Sequence, residues 1–200
     1  IISEAFSTQV ITPGSTTTED VVWWLREKVL TLGLDTWFHP TVDLKRSGKS
    51  DLYAFDGKSK YDVIFSGDLL HCDFGISYLT LNTDCQELAY VLKPGETKAP
   101  RFLEEALAQG NAVQDHLTQN YKKGTTGNTI LKQAIADSKA SGLRPQIYTH
   151  PLGLYGHSAG TTIGMWDAQN GVPGSGDHPL QEETVYAIEL NAKVFIPEWE

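Results

Sequence analysis

Three carboxylates of this chain lie in or beside segments that are otherwise rich in apolar residues. Asp73 belongs to the run LLHCDFG (69–75), and Glu189 belongs to the run VYAIEL (185–190). An unpaired charge in a buried strand costs several kcal/mol, so each acid needs a cation or a strong hydrogen-bond partner. Asp84 follows Asp73 by eleven residues. If the two aspartates occupy facing strands of one hairpin, their carboxylates converge and repel each other unless a cation neutralises them.

A histidine near glycines adds a nitrogen ligand to this set. His157 lies in LYGHSAG (154–160), where glycines let the backbone turn tightly and bring an imidazole to a site. Taken singly, an aspartate beside a turn is commonly a capping residue and a histidine near glycine is commonly a turn residue. Taken together, Asp73, Asp84, His157 and Glu189 form a mixed carboxylate and imidazole set. Such a set suits Mn, Co, Fe or Zn, and we expect a metal site.

The pattern of helices and strands must position these residues. The residues TTTE (16–19) precede an apolar-periodic segment that Gly33 ends, which predicts a capped amphipathic helix. Residues 67–90 are typical of a hairpin of two adjacent strands with its turn at Gly75 to Tyr78. Further predicted elements are a strand at 36–42 with a loop that ends near Tyr61, helices at about 99–120 and 126–141, a strand and glycine-rich turn at 147–160, and a strand at 184–196. The order of these elements predicts an α+β fold rather than regular βαβ alternation.

The composition favours a single globular domain over residues 1–200. The chain has 40% hydrophobic and 20% charged residues and a formal net charge of −9, and it lacks the clustered Lys and Arg of a nucleic-acid-binding surface. It contains no run of about 18 apolar residues and no signal-like start, so we expect no membrane association and favour a soluble, cytoplasmic protein. Two cysteines, Cys72 and Cys85, are too few for a disulfide framework; two buried thiols are expected, and a single bridge stays open.

Four segments carry a resemblance to a known family. GDLLHCDFG (67–75), LNTDCQ (81–86), GHSAG (156–160) and YAIELN (186–191) resemble, in order and spacing, the pita-bread metallopeptidases. That family comprises methionine aminopeptidase, aminopeptidase P and prolidase, and the chain looks most similar to the Xaa-Pro peptidase branch. The resemblance implies curved antiparallel sheets covered by helices, two divalent metal ions, a peptide or dipeptide substrate, and a homodimer.

The resemblance also implies roles for individual residues. Asp73 would chelate one ion, Asp84 would bridge both, and His157 and Glu189 would bind the other, with a bridging hydroxide as nucleophile. Glu189 would also shuttle a proton. His150 is matched to a family histidine that precedes the metal-binding one, with three additional residues between them, and it is taken as a catalytic candidate.

The sequence departs from the family at several positions. The chain ends at Glu200, before the position of the family's second bridging glutamate, and we therefore expect its last strands to be missing. We also expect an N-terminal domain to be missing. Position 164, where the family has a histidine, is Gly164. A further histidine of the family would align near Asp56 of this chain. The nearest histidine that could take its place is His39. These departures keep two alternatives open, a pita-bread domain used for binding with a degenerate site, and a creatinase-like branch that acts without metal, which Asp73 and Asp84 disfavour.

Overall fold

The computed structural model describes residues 1–48 and 63–199. Backbone contacts divide the chain into two compact units, which are described separately below. The first comprises Ile1–Ala99 with Ile196–Glu200, and the second comprises Pro100–Phe195. The expectation of one catalytic domain over residues 1–200 stays a prediction.

A three-stranded antiparallel sheet forms the centre of the first unit. Its strands are β1 (Thr41–Lys45), β2 (Leu69–Phe74) and β5 (Cys85–Tyr90), in the order β1-β2-β5. Side chains alternate in burial along β2, as the period of two residues in a strand requires. The buried face carries Leu70, Cys72 and Phe74. The opposite face carries His71 and Asp73, of which Asp73 is a predicted metal ligand. The antiparallel pairing of β2 with β5 confirms the predicted adjacent strands.

Two helices cover the buried face. They are α1 (Ile2–Ala5) and α2 (Thr18–Thr31), and the apolar stripe of α2 is buried in the core of the first unit. The predicted cap of α2 is confirmed. Thr17 and Asp20 form a reciprocal capping box, in which the Asp20 side chain accepts from the Thr17 amide and the Thr17 hydroxyl oxygen accepts from the Asp20 amide.

Two strand predictions in this unit were wrong in detail. The strand predicted at 36–42 begins only at Thr41, because Pro40 has no N–H to donate to a ladder. The turn predicted at Gly75 to Tyr78 is instead a small hairpin of β3 (Ser77–Tyr78) and β4 (Leu81–Asn82). Leu79 and Thr80 at its tip have φ of 49° and 64°. Part of the predicted loop that ends near Tyr61 lies outside the described residues.

The two cysteines do not form the bridge that the sequence left open. Both are free, with Cys72 buried and Cys85 exposed, so the expectation of two buried thiols was wrong for Cys85. Cys72 pairs with Glu87 across the sheet, and Cys85 pairs with Phe74, which makes the cysteines diagonal neighbours at a separation too long for a disulfide. Burial raises the pKa of Cys72 to about 12, so its thiol stays protonated at neutral pH and is a poor metal ligand.

The second unit packs two helices on a two-stranded ribbon. Its elements are α3 (Arg101–Gln119), α4 (Gly127–Ala140), β6 (Pro145–Leu152) and β7 (Val185–Ala192). These bounds confirm the predicted helices and strands, although β7 ends four residues before the predicted end at Ile196. Its core comprises Val113, Leu117, Ile130, Leu131, Ala134, Ile147, Ile163 and Leu180. Within the described residues, no helix is both long and apolar enough to cross a membrane.

Candidate metal centre

His150, His157 and Glu189 come together in the second unit. Each offers a nitrogen or carboxylate oxygen atom, and these three atoms all lie within 4.8 Å of one another. His150 is buried, Glu189 is half-buried and His157 is exposed. Two imidazoles and a carboxylate at this separation are a donor set that Zn, Mn, Co and Fe accept.

The register of the β6–β7 ribbon positions two of these residues. His150 lies opposite Ala187, and Glu189 lies opposite Tyr148. Residues two apart in a strand share a face, so His150 and Glu189 are diagonal neighbours on one face of the ribbon. Ile147 and Thr149 alternate to the other face, where Ile147 belongs to the core. Nε2 of His150 lies 3.0 Å from Oε1 of Glu189.

The hydrogen bond made by Nδ1 of His150 determines whether Nε2 of the same ring carries a hydrogen. Nδ1 lies 3.0 Å from the carbonyl oxygen of Pro151, and because a carbonyl only accepts, Nδ1 must donate its hydrogen there. In the neutral ring, Nε2 then directs a lone pair at the Glu189 carboxylate, an arrangement that requires a proton or a metal ion between the two atoms. A backbone carbonyl bound to the far nitrogen is also the usual support of a metal-binding histidine. The residues of this cluster therefore fit a divalent cation.

A short glycine-rich loop brings His157 to the cluster. Its ring stands edge-on to that of His150, with centroids 4.3 Å apart. The loop is closed by a hydrogen bond from the Ser158 amide to the Pro151 carbonyl at 3.0 Å. Gly160 is required beside it, because a Cβ there would lie 2.8 Å from Cγ of Pro151 and its φ is +146°.

Asp73 lies on β2 of the first unit, and Asp84 lies just before the neighbouring strand β5. Asp73 pairs with Gln86. The two aspartates are thus offset diagonally in the same way as His71 and Gln86, whose Nε2 and Oε1 atoms are 3.0 Å apart. Oδ1 of Asp73 is buried from solvent. His71 and Asp73 lie on the same face of β2, which is the central strand of the sheet.

Gly164 stands where the resemblance expects a histidine, and the backbone there accepts no side chain. Its φ is +71°, and a Cβ would lie 2.2 Å from the carbonyl oxygen of Ile147. Ile163, its neighbour, exchanges two hydrogen bonds of 3.0 Å with Thr149 of β6. The glycine therefore allows this segment to pack directly on the strand that carries His150.

Two aromatic residues next to the cluster were not assigned a role from the sequence. The Tyr148 ring centroid lies 5.3 Å from that of His150 and 5.9 Å from that of Trp166. Tyr148 is two residues before His150, so strand alternation was a signal that could have found it. Trp166 is distant in sequence from either strand, and only the fold places it there.

The chain belongs to metallopeptidase family M24, whose family model matches residues 1–200. No curated protein sequence matches the chain.

Several solved structures share the fold. An X-Pro aminopeptidase from Thermotoga maritima is 22% identical with a TM-score of 0.69, over 94% of this chain and 49% of that one. A prolidase from Pyrococcus horikoshii is 20% identical with a TM-score of 0.62, over 99% and 52%. A methionine aminopeptidase from Thermotoga maritima is 18% identical with a TM-score of 0.56, over 92% and 72%. The predicted pita-bread fold is confirmed, and the chain spans about half the length of the first two relatives.

Proposed function

We propose that this chain forms the metal-dependent catalytic part of an Xaa-Pro aminopeptidase or prolidase. The observation that carries the proposal is the cluster of His150, His157 and Glu189 in a family M24 chain. The similarity in fold to an X-Pro aminopeptidase and a prolidase supports the choice of substrate class.

In this proposal two divalent ions, such as Mn, Co, Zn or Fe, are held by Asp73, Asp84, His157 and Glu189. Asp84 would contribute its carboxylate to both ions, as the family resemblance implies, and the protein would act as a homodimer. Bound divalent ions would supply Lewis-acid polarisation of the scissile carbonyl and acidification of water.

The protein's own groups have separate tasks. Glu189 holds its carboxylate at the ribbon surface next to an imidazole, where it serves as a ligand and can accept and return a proton. With a proton between its Nε2 and Oε1 of Glu189, His150 orients that carboxylate across the 3.0 Å contact, while its Nδ1 bond to the Pro151 carbonyl fixes the ring. Burial of His150 and Glu189, with side chains 4% and 13% exposed, lowers the local dielectric and strengthens these contacts.

A second candidate function is peptide binding without hydrolysis. Gly164 favours it, because the family position for a histidine cannot carry one in this backbone. A binding protein would keep the fold and an apolar peptide surface but would not turn over its ligand.

Metal titration and hydrolysis together test the proposal. Mn²⁺ binding to the full-length protein is measured by calorimetry, and release of proline from Ala-Pro is measured with Mn²⁺, Co²⁺ or Zn²⁺ added. Glu189→Gln should weaken Mn²⁺ binding and abolish proline release, while Glu104→Gln, at an exposed position on α3, should change neither. Wild-type protein that binds Mn²⁺ tightly but releases no proline would exclude the peptidase and favour the binding function.

A further inference from the structure

Four rings form a row on one face of the second unit and lead away from the metal-binding cluster. Successive ring centroids lie 4.3 Å apart from His157 to His150, 5.3 Å from His150 to Tyr148 and 5.9 Å from Tyr148 to Trp166. Glu189 faces Tyr148 across the ribbon. The row is therefore polar and metal-binding at one end and purely aromatic at the other.

Two glutamines hold the Trp166 end against β6. The Gln146 side chain donates to the Trp166 carbonyl at 2.7 Å. The Gln169 side chain accepts from the Ile147 amide at 2.9 Å and donates to the Ile147 carbonyl at 2.8 Å and the Met165 carbonyl at 2.7 Å. These four hydrogen bonds fix the backbone of the loop that carries Trp166. A loop that is already ordered loses less entropy when a ligand binds to it.

Tyr148 and Trp166 keep part of their surface accessible. Both are half-buried, and their rings meet edge to face at 67°, so they form two adjoining aromatic surfaces. An extended peptide advances about 3.3–3.6 Å per residue. A peptide whose scissile bond lies at the His150 and Glu189 end therefore reaches the Tyr148 ring with the residue next to that bond.

We propose that Tyr148 and Trp166 form the surface that packs on the proline ring of the substrate and so select proline. This inference rests on the function proposed above and deepens it by naming the residues that determine specificity.

The chemistry of proline favours an aromatic surface over a polar one. A peptide-bound proline has no N–H, so an enzyme cannot recognise it by accepting a hydrogen bond from its nitrogen. What distinguishes proline is a compact apolar ring with a preset backbone conformation, and aromatic-lined grooves recognise proline-rich peptides in this way. Tyr148 and Trp166 offer two adjoining aromatic rings of this kind, next to the His150 end of the row.

The test measures two properties of each variant, its preference for proline-containing substrates and its affinity for Mn²⁺. For the full-length protein, kcat/KM is measured on Ala-Pro and Ala-Ala, and Mn²⁺ affinity is measured by calorimetry. Trp166→Ala and Tyr148→Ala should each reduce the ratio of kcat/KM values, Ala-Pro over Ala-Ala, by about tenfold or more, the range that apolar pocket contacts give. Mn²⁺ affinity should stay near the wild-type value.

Matched variants separate packing from a general loss of structure. Trp166→Phe and Tyr148→Phe keep a ring and should retain most of the preference. Trp23→Ala, at an exposed position on α2, should leave the preference unchanged.

Three results would overturn the inference. One is a ratio within about twofold of wild type in both alanine variants with Mn²⁺ binding intact. Another is a loss in the phenylalanine variants as large as in the alanine variants. The third is a wild-type enzyme that hydrolyses Ala-Ala but not Ala-Pro, and this result would refute the proposed Xaa-Pro specificity at the same time. The first result, in a wild-type enzyme that prefers Ala-Pro, would leave the proposed function standing and remove only this inference.

Discussion

Replacing Gly164 by alanine should destabilise the protein and weaken its metal site. At φ +71° an alanine is strained by about 1–2 kcal/mol. Its Cβ would also lie 2.2 Å from the Ile147 carbonyl oxygen and 3.0 Å from Cδ1 of Leu131. Backbone cannot yield as a flexible side chain can, so overpacking adds about 1–3 kcal/mol more. We expect a total loss of roughly 3 kcal/mol in unfolding free energy.

Gly142→Ala is the matched control. Gly142 has a φ of +78°, and a Cβ added there would meet no heavy atom within 4 Å, so alanine should cost only the conformational strain of about 1–2 kcal/mol. Both variants are unfolded in urea, and Mn²⁺ affinity is measured on the folded proteins. In Gly164→Ala the added methyl group should displace β6, move His150 and reduce Mn²⁺ affinity, an effect that Gly142→Ala should lack. Equal stabilities for the two variants would refute the close contact, and unchanged Mn²⁺ affinity would refute its link to the site.

Three further predictions concern single side chains. Asp84→Asn should leave the fold intact in a thermal melt and lower Ala-Pro hydrolysis by about a thousandfold or more, because a neutral amide removes several kcal/mol of stabilisation from the metal-dependent step; near-wild-type activity would exclude Asp84 as a bridging ligand. His150→Ala should reduce Mn²⁺ affinity by about 10–100-fold, as loss of a residue that orients a metal ligand does, and unchanged binding in calorimetry would contradict the role of its contact with Glu189. Asp68→Asn should lower the unfolding free energy by about 3 kcal/mol, since buried Asp68 accepts two 2.6 Å hydrogen bonds from Arg46. Urea unfolding measures this loss, and Glu105→Gln, which breaks only an exposed ion pair, is the control.

Asp73 and Glu189 were selected as candidate ligands because burial and charge conflict in the sequence itself, and their role as ligands stays a prediction. Asp73 and Glu189 interrupt apolar strands, and the structure places both on strand faces that are not the core face. The contact of His150 with Glu189 was harder to predict, since it depends on the register between β6 and β7, and no tight turn joins these two strands to fix that register.

Other features depend on backbone conformations and side-chain contacts that the residue types do not predict. Leu79 and Thr80 adopt left-handed backbone angles without the Asn or Gly that normally mark such a turn, so the β3–β4 hairpin was missed. The second unit begins at Pro100, which directly precedes α3. A proline at this position is typical of a helix start, so it does not by itself indicate a boundary between units. Trp166 reaches the site through side-chain bonds from Gln146 and Gln169, contacts that exist only after folding.

The loop between the two histidines offers a place where this protein could be redesigned. Its ends are fixed by the hydrogen bond between Ser158 and Pro151, while Leu154 and Tyr155 at its tip are exposed. Side chains exchanged at the tip would therefore leave the hydrogen bond between Ser158 and Pro151 in place, since exposed loop tips tolerate substitution. A library that varies only residues 154 and 155 would change what stands at the rim of the candidate metal centre without changing its donor atoms.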